Sequence, residues 1–265
     1  MYYKQNTFIW KGALALLLLF SFHIEHMEAR EKNITSSTKM EVPLYDEAPY
    51  KQHIVHKSFE LVYNENTRLP DWVGYELTIE EVEGVTPRGK NFVQDPDVKG
   101  VQADNEDYRN SGWDRGHMAP AGDMKMDEQS MSESFYFSNI CPQNRNLNGG
   151  DWKSLEEMIR DYARKFSKIY VVCGPIMGNN IYGRLGPHKV VIPDAFYKVL
   201  LIETKKGYEA IGFVMKNEAG HKSLSSYVKS IDEIEEITGL DFFPLLPDNI
   251  ENKVESEFNL SNWNL

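Results

Sequence analysis

Asp114-Arg115-Gly116-His117, followed by Met118-Ala119-Pro120, sets a cation and an imidazole two positions apart with a glycine between them. The glycine lets the backbone bend. In a strand Arg115 and His117 share a face, and in a turn they converge on one small anion. That pair suits phosphoryl chemistry: a guanidinium grips phosphate oxygens, and a neutral imidazole takes a proton from water. Taken alone, the same residues also read as a charged turn holding a hydrogen-bonded histidine. Two residues downstream bear on the choice. Asn148 and Glu156 are eight positions apart, about two helical turns at 3.6 residues per turn, so on one helix they lie on broadly the same side.

The elements that must position these groups are legible from periodicity. Trp152, Leu155, Ile159, Tyr162 and Phe166 recur at spacings of 3, 4, 3 and 4, the apolar stripe of an amphipathic helix. Glu156 lies off that stripe and has no packing reason to be glutamate. Leu147-Asn148-Gly149-Gly150 is the turn that opens the helix, and Ser134–Gln143 reads as a short strand ending at a proline. Further strands are expected at His53–Tyr63, Val73–Ile79, Ile169–Cys173, Val190–Leu201 with a kink at Pro193, and Tyr208–Met215. Between Gly84 and Asp107 runs a long irregular connection carrying Arg88 and Lys90, and such loops are often functional. Ser230 and Glu233 form a capping box for a last helix that stops at Gly239. Strands and helices mix without regular alternation, which places the chain in the α+β class.

The chain has 265 residues, 41% of them hydrophobic, enough for a packed core. A net charge of −11 argues against a broad basic surface of the kind that clings to nucleic acid, but not against a cationic cleft. Two cysteines, Cys141 and Cys173, lie in apolar segments and are expected as buried free thiols. His53 and His56 lack a third ligand nearby in sequence, and no zinc motif occurs. Lys4 and Lys11 precede an eleven-residue apolar run, Gly12–Phe22, the length of a signal-peptide core and short for a membrane span. Residues 1–29 are thus expected to be a signal peptide, or else an N-terminal anchor because Met27-Glu28-Ala29 lacks a small-x-small cleavage site. Residues 30–52 read as a linker, 53–247 as the main domain and 248–265 as an acidic, loosely held tail. The expected location is outside the cytoplasm, periplasmic or secreted, with no stable membrane association once the leader is cleaved.

Asp114-Arg115-Gly116-His117, Ser138–Gln143, Leu147-Asn148 with Trp152 and Leu155-Glu156, Gly174-Pro175, Ile192–Val199 and Thr238–Phe243 occur in one order. Together they resemble the signature of the DNA/RNA non-specific endonucleases, which makes 53–247 an endonuclease domain. The resemblance implies a ββα-metal (His-Me) finger set in a central mixed or antiparallel β-sheet flanked by helices. It implies hydrolysis of DNA and RNA with Mg2+, or Mn2+ in its place, leaving 5′-phosphate ends. Carried over by position, His117 is the general base, Asn148 the protein ligand of the metal and Glu156 its partner through water. Asn139 helps fix the site, and Arg115 contacts the phosphate. Where relatives carry an arginine in the preceding loop this chain has Lys90, with Arg88 two residues earlier; lysine supplies charge without the bidentate fork. The resemblance leaves a homodimer open. A catalytically silent nucleic-acid-binding module of the same fold, or a phosphodiesterase acting on other substrates, are the alternatives.

Overall fold

The computed structural model describes residues 34–179, 182–263 and 265, so the leader expected at residues 1–29 lies outside the described residues. Along the chain come β1 (Lys51–Val55), β2 (Glu60–Asn64), β3 (Leu69–Thr78), the short helices α1 (Ile79–Val82) and α2 (Asn105–Tyr108), β4 (Asp114–His117) and α3 (Glu128–Glu133). They continue with β5 (Ile140–Gln143), α4 (Arg145–Gly149), α5 (Asp151–Phe166), β6 (Lys168–Ile176), β7 (Arg184–Leu185) and β8 (Val190–Val191). The chain closes with β9 (Ala195–Thr204), β10 (Gly207–Lys216), β11 (Val228–Lys229), α6 (Ile231–Thr238) and α7 (Asp248–Ser256). This is an α+β fold. Seven strands form one sheet in the order β1-β2-β3-β6-β9-β10-β11, antiparallel throughout, with β4–β5 and β7–β8 as separate ribbons.

Strand β9 shows why the sheet is central. Successive side chains of a strand point to opposite faces, and in β9 both sets are buried. Phe196, Leu200 and Ile202 join one core cluster; Tyr197, Val199 and Leu201 join the other. The first cluster packs against the stripe of α5, in which Trp152, Leu155 and Ile159 are sealed from solvent. Each such side chain contributes about 1.5–3 kcal/mol by leaving water, and Leu155→Ala would cost about 2–5 kcal/mol. Ser167, in the left-handed region at φ 71°, ends the helix and turns the chain into β6. The second cluster takes Ile231 and Ile234 of α6, Val254 of α7, and Val42 and Tyr45 from the segment before β1.

Several sequence expectations are corrected. The strand expected over 134–143 is strand only at Ile140–Gln143, because Phe137–Asn139 makes a 3-10 turn. The strand expected at 53–63 is the β1–β2 hairpin, and the one expected at 190–201 is divided between β8 in a side ribbon and β9 in the main sheet. Asn148 and Glu156 stand on two helices, broken at Gly150 (φ −115°, ψ −109°). Residues 34–52 are no free linker: Leu44 and Asp241 exchange backbone hydrogen bonds at 2.8 and 3.1 Å, and Tyr45 packs on Trp72 at 5.6 Å between ring centroids. The C-terminal residues are no loose tail either. They form α7 and then bury Trp263, 1% exposed, in a stack on Tyr162 with centroids 4.9 Å apart. A few apolar residues carry that docking, and the acidic composition around them hides it. Both cysteines are free and buried, as expected.

Candidate active site

Strands β4 and β5 pair antiparallel with Arg115 opposite Pro142, Gly116 opposite Cys141 and His117 opposite Ile140. A β-carbon on Gly116 would lie 2.2 Å from Gln143 Oε1, so the hairpin closes only around a glycine. Two-residue periodicity then turns Arg115 and His117 the same way. They face a cleft of about 390 Å3 that also takes in Arg88, Asn148 and Glu156. The break at Gly150 does not part the last two: α4 ends and α5 begins on the wall of that one cleft.

His117 is 8% exposed, held edge-on by Phe135 with centroids 4.9 Å apart and tilted against Phe92 at 5.4 Å. Its Nε2 has no hydrogen-bond partner among the described residues. Burial, aided by the nearby Arg88, pulls its pKa down to about 3. An ordinary imidazole is what the sequence leads one to expect; the aromatic walls make this one neutral over the whole physiological range, with a lone pair available. The Arg115 guanidinium sits over Phe92 at 5.4 Å and Tyr108 at 5.2 Å, and Nη2 donates to the Asn105 carbonyl at 3.4 Å. Stacking of this kind holds the planar fork without using up its donors.

Asn148 donates Nδ2 to Asp114 Oδ2 at 3.2 Å, while Arg145 Nε donates to Asp114 Oδ1 at 3.3 Å. That bond fixes the flip of the amide and leaves Oδ1, the atom able to hold a cation, without a protein partner among the described residues. Glu156 also makes no hydrogen bond there. Burial pushes its carboxyl up to about 7; Lys198 opposes that shift and Asp123 adds to it. A free amide oxygen and a carboxyl without a hydrogen bond in one cleft fit a hard, oxygen-seeking divalent cation.

Two expected site residues lie elsewhere. Asn139 is fully buried outside the cleft: Oδ1 accepts from Ala119 N at 2.9 Å, and Nδ2 donates to the carbonyls of Ala119 and Ser134 at 2.9 and 2.8 Å. It braces the chain just after His117 and touches no reacting atom. Lys90 is exposed and does not line the cleft; Arg88 does, 5.4 Å above the Phe135 ring. The buried trio His56, Asp95 and Ser138 anchors this loop: Asp95 Oδ2 accepts from Ser138 Oγ at 2.5 Å and lies 2.9 Å from His56 Nε2.

Other residues of the site do not stand out in the sequence. Lys153 and Arg160 line the cleft three residues before and four after Glu156, a helical spacing that could have found them. Arg160 donates to Asp123 at 2.8 Å, and Asp123 also accepts from Tyr75 at 3.0 Å. Lys198 is fully buried, its Nζ without a hydrogen bond and 4.4 Å from the Trp152 ring centroid. Its one signal is a lone charge inside an apolar strand. Asn217 ties β5 to the start of β9 by donating to the Pro142 and Pro193 carbonyls at 3.0 and 2.9 Å. Arg88, Arg115, Lys153 and Arg160 thus make a cationic cleft in a protein of net charge −11.

Residues 37–249 match the family model described as DNA/RNA non-specific endonuclease. The chain is similar to the mitochondrial nuclease EXOG of Danio rerio, 39% identical over 70% of this chain and 59% of the relative. It is also similar to human mitochondrial endonuclease G, 34% identical over 71% of this chain and 68% of the relative. The match thus spans a little over half the length of EXOG. The solved structure of an EndoG/EndoGI complex superposes with a TM-score of 0.70 at 30% identity, over 75% of this chain and 88% of that one. That likeness carries the α+β, ββα-metal fold expected from the resemblance. The expected localisation is corrected: relatives named as mitochondrial nucleases speak against the expected periplasmic or secreted location. Among the described residues no helix is long and apolar enough to cross a membrane. With two thirds or more of endonuclease G covered and the family model spanning most of its length, this chain belongs to the DNA/RNA non-specific endonuclease family.

Proposed function

We propose that this protein hydrolyses the phosphodiester backbone of DNA and RNA with Mg2+, which Mn2+ can replace, His117 acting as general base. One observation carries the reading: a neutral, solvent-poor imidazole lines a cleft that also holds three arginines. The His117 imidazole accepts a proton from a water lying in line with the leaving 3′-oxygen. The oxygen of that water bonds to phosphorus as the P–O3′ bond breaks, and the departing 3′-oxygen takes a proton from solvent, leaving a 5′-phosphate and a 3′-hydroxyl. Arg115 and Arg88 hold the non-bridging oxygens, and Arg115 suits this because stacking has already fixed its fork. Asn148 Oδ1 would be the protein ligand of the ion, with Glu156 reaching it through water. When bound, Mg2+ would offset charge on the phosphate and the departing oxygen. The cleft grips backbone rather than bases, which suits action on both polymers.

The test is cleavage of plasmid DNA and of RNA by the full chain, with Mg2+ and with EDTA, beside His117→Ala. Loss of both polymers with Mg2+ alone, reduced about 100- to 10,000-fold in the folded variant, is the expected result. Folded wild-type protein that binds both polymers and cuts neither would replace this reading with a silent binding module. Cleavage of small diesters only would replace it with a phosphodiesterase of other substrates. Light scattering on the same preparation decides between monomer and homodimer.

A further inference from the structure

On the face of the sheet away from the cleft, five carboxylates converge without a counter-charge. Asp232 and Glu235 come from α6, Glu251 and Glu255 from α7, and Asp241 from the turn between them. Asp232, Glu235 and Glu255 bring one oxygen each within 4.8 Å of one another, and so do Asp241, Glu251 and Glu255. Glu255 therefore stands at the centre of both groups. None of the five pairs with a lysine, arginine or histidine among the described residues. Like charges three or four apart on a helix repel, and here two such helical pairs face each other.

The central carboxylate is the informative one. Glu255 is 7% exposed, and its Oε1 is sealed from water with no hydrogen-bond partner among the described residues. A buried carboxylate oxygen with neither donor nor solvent costs several kcal/mol, and its four neighbours are acceptors too. Glu235 uses one oxygen to accept from the Phe242 amide at 2.8 Å, which fixes its place without neutralising it. Something that accepts oxygen lone pairs completes this arrangement.

We propose that these five carboxylates form a Ca2+ site, separate from the catalytic cleft, that clamps α7 to α6. An all-oxygen, all-anionic donor set selects a hard cation over zinc or copper. Ca2+ binds oxygens at about 2.3–2.6 Å and tolerates irregular geometry, so ligands on opposite sides stand about 4.6–5.2 Å apart. Mg2+ demands near-ideal octahedral geometry and gives up its waters reluctantly, which suits it less to carboxylates drawn from two helices and a turn. Without the ion, the groups relieve their repulsion by holding protons: burial first, then its four acidic neighbours, push Glu255 up to about 8. The backbone bridge from Asp241 to Leu44 carries the clamp to the N-terminal segment as well.

Calorimetric Ca2+ titration and thermal unfolding of the EDTA-treated full chain test this. At calcium about 100-fold above Kd the melting temperature should rise by roughly 5–10 °C, and Mg2+ should bind at least about 10-fold more weakly. The rise should persist in Asn148→Ala, which alters only the cleft, and vanish in Glu255→Gln. Should Glu255→Gln fail to fold, Asp232→Asn combined with Glu251→Gln, at less buried positions, should weaken Ca2+ binding about 10-fold or more. No Ca2+-dependent rise in folded wild type overturns the proposal, as does a rise unchanged by these substitutions. A rise that disappears in Asn148→Ala assigns the calcium to the cleft and overturns it equally.

Discussion

His117 carries a pH signature whose sign follows from its surroundings. Burial, then Arg88, lower its folded pKa to about 3, against about 6.5 in an unfolded chain. Between those values the unfolded chain binds a proton that the native chain refuses. The stability from this group is therefore complete above about pH 6.5 and is lost as pH falls toward 3. His117→Asn should flatten the acid limb of a stability–pH curve by up to one proton, read by urea unfolding from about pH 7 to pH 4. Equal slopes in variant and wild type would show that the ring is not held neutral. Glu156 invites a different measurement. Glu156→Gln keeps its shape but removes the charge that would orient metal-bound water, so half-maximal activity should need about 10- to 100-fold more Mg2+; an unmoved midpoint removes Glu156 from that role. Local spacing makes these residues legible: Arg115 and His117 share a strand face, and Glu156 stands off an apolar stripe. Arg88 and Lys90 are not separable in the sequence, because an irregular loop has no periodicity to say which side chain turns inward. Lys198 stays hidden for another reason. It belongs to β9 and Trp152 to α5, and only the folded sheet brings the ammonium against that ring.

At the scale of elements, the site depends on braces that never enter it. Asn139 satisfies three backbone groups, Ala119 N, Ala119 O and Ser134 O, inside a region closed to water. Asn139→Ala leaves all three unpaired, at about 1–3 kcal/mol each, and frees the chain that follows His117. The expected outcome is a loss of about 3 kcal/mol or more in chemical denaturation, with activity falling further than the unfolded fraction explains. Stability close to wild type would mean that other partners replace the amide. Periodicity makes α5 legible because one face is apolar along its whole length. It cannot place the break at Gly150, where a β-carbon would meet the Asn146 carbonyl at 2.4 Å, since that contact exists only once α4 has folded. Nor can it separate the 3-10 turn at Phe137–Asn139 from strand β5, because no change of hydrophobic period marks the boundary.

At the scale of the whole molecule, the two ends of the described chain close over the sheet rather than trail from it. Trp263 stacks on Tyr162 of α5, and the Tyr162 hydroxyl donates to the Asn262 carbonyl at 3.0 Å. The helix that carries Glu156 and Arg160 toward the cleft is thus held at its far end by the last residues of the chain. Composition conceals this, because one tryptophan among acidic and amide residues shifts no average, while the energy rests on that one ring. Trp263→Ala removes a large buried side chain at about 3–5 kcal/mol, which for a domain of this size lowers the melting temperature by roughly 10 °C. Ending the chain at Pro247 should cost at least as much, since Val254 leaves the second core cluster with it. Differential scanning calorimetry of both variants beside wild type is the measurement. A chain ending at Pro247 that melts with wild type would make residues 248–265 the loose tail their composition suggests, and would leave α5 held by its apolar stripe alone.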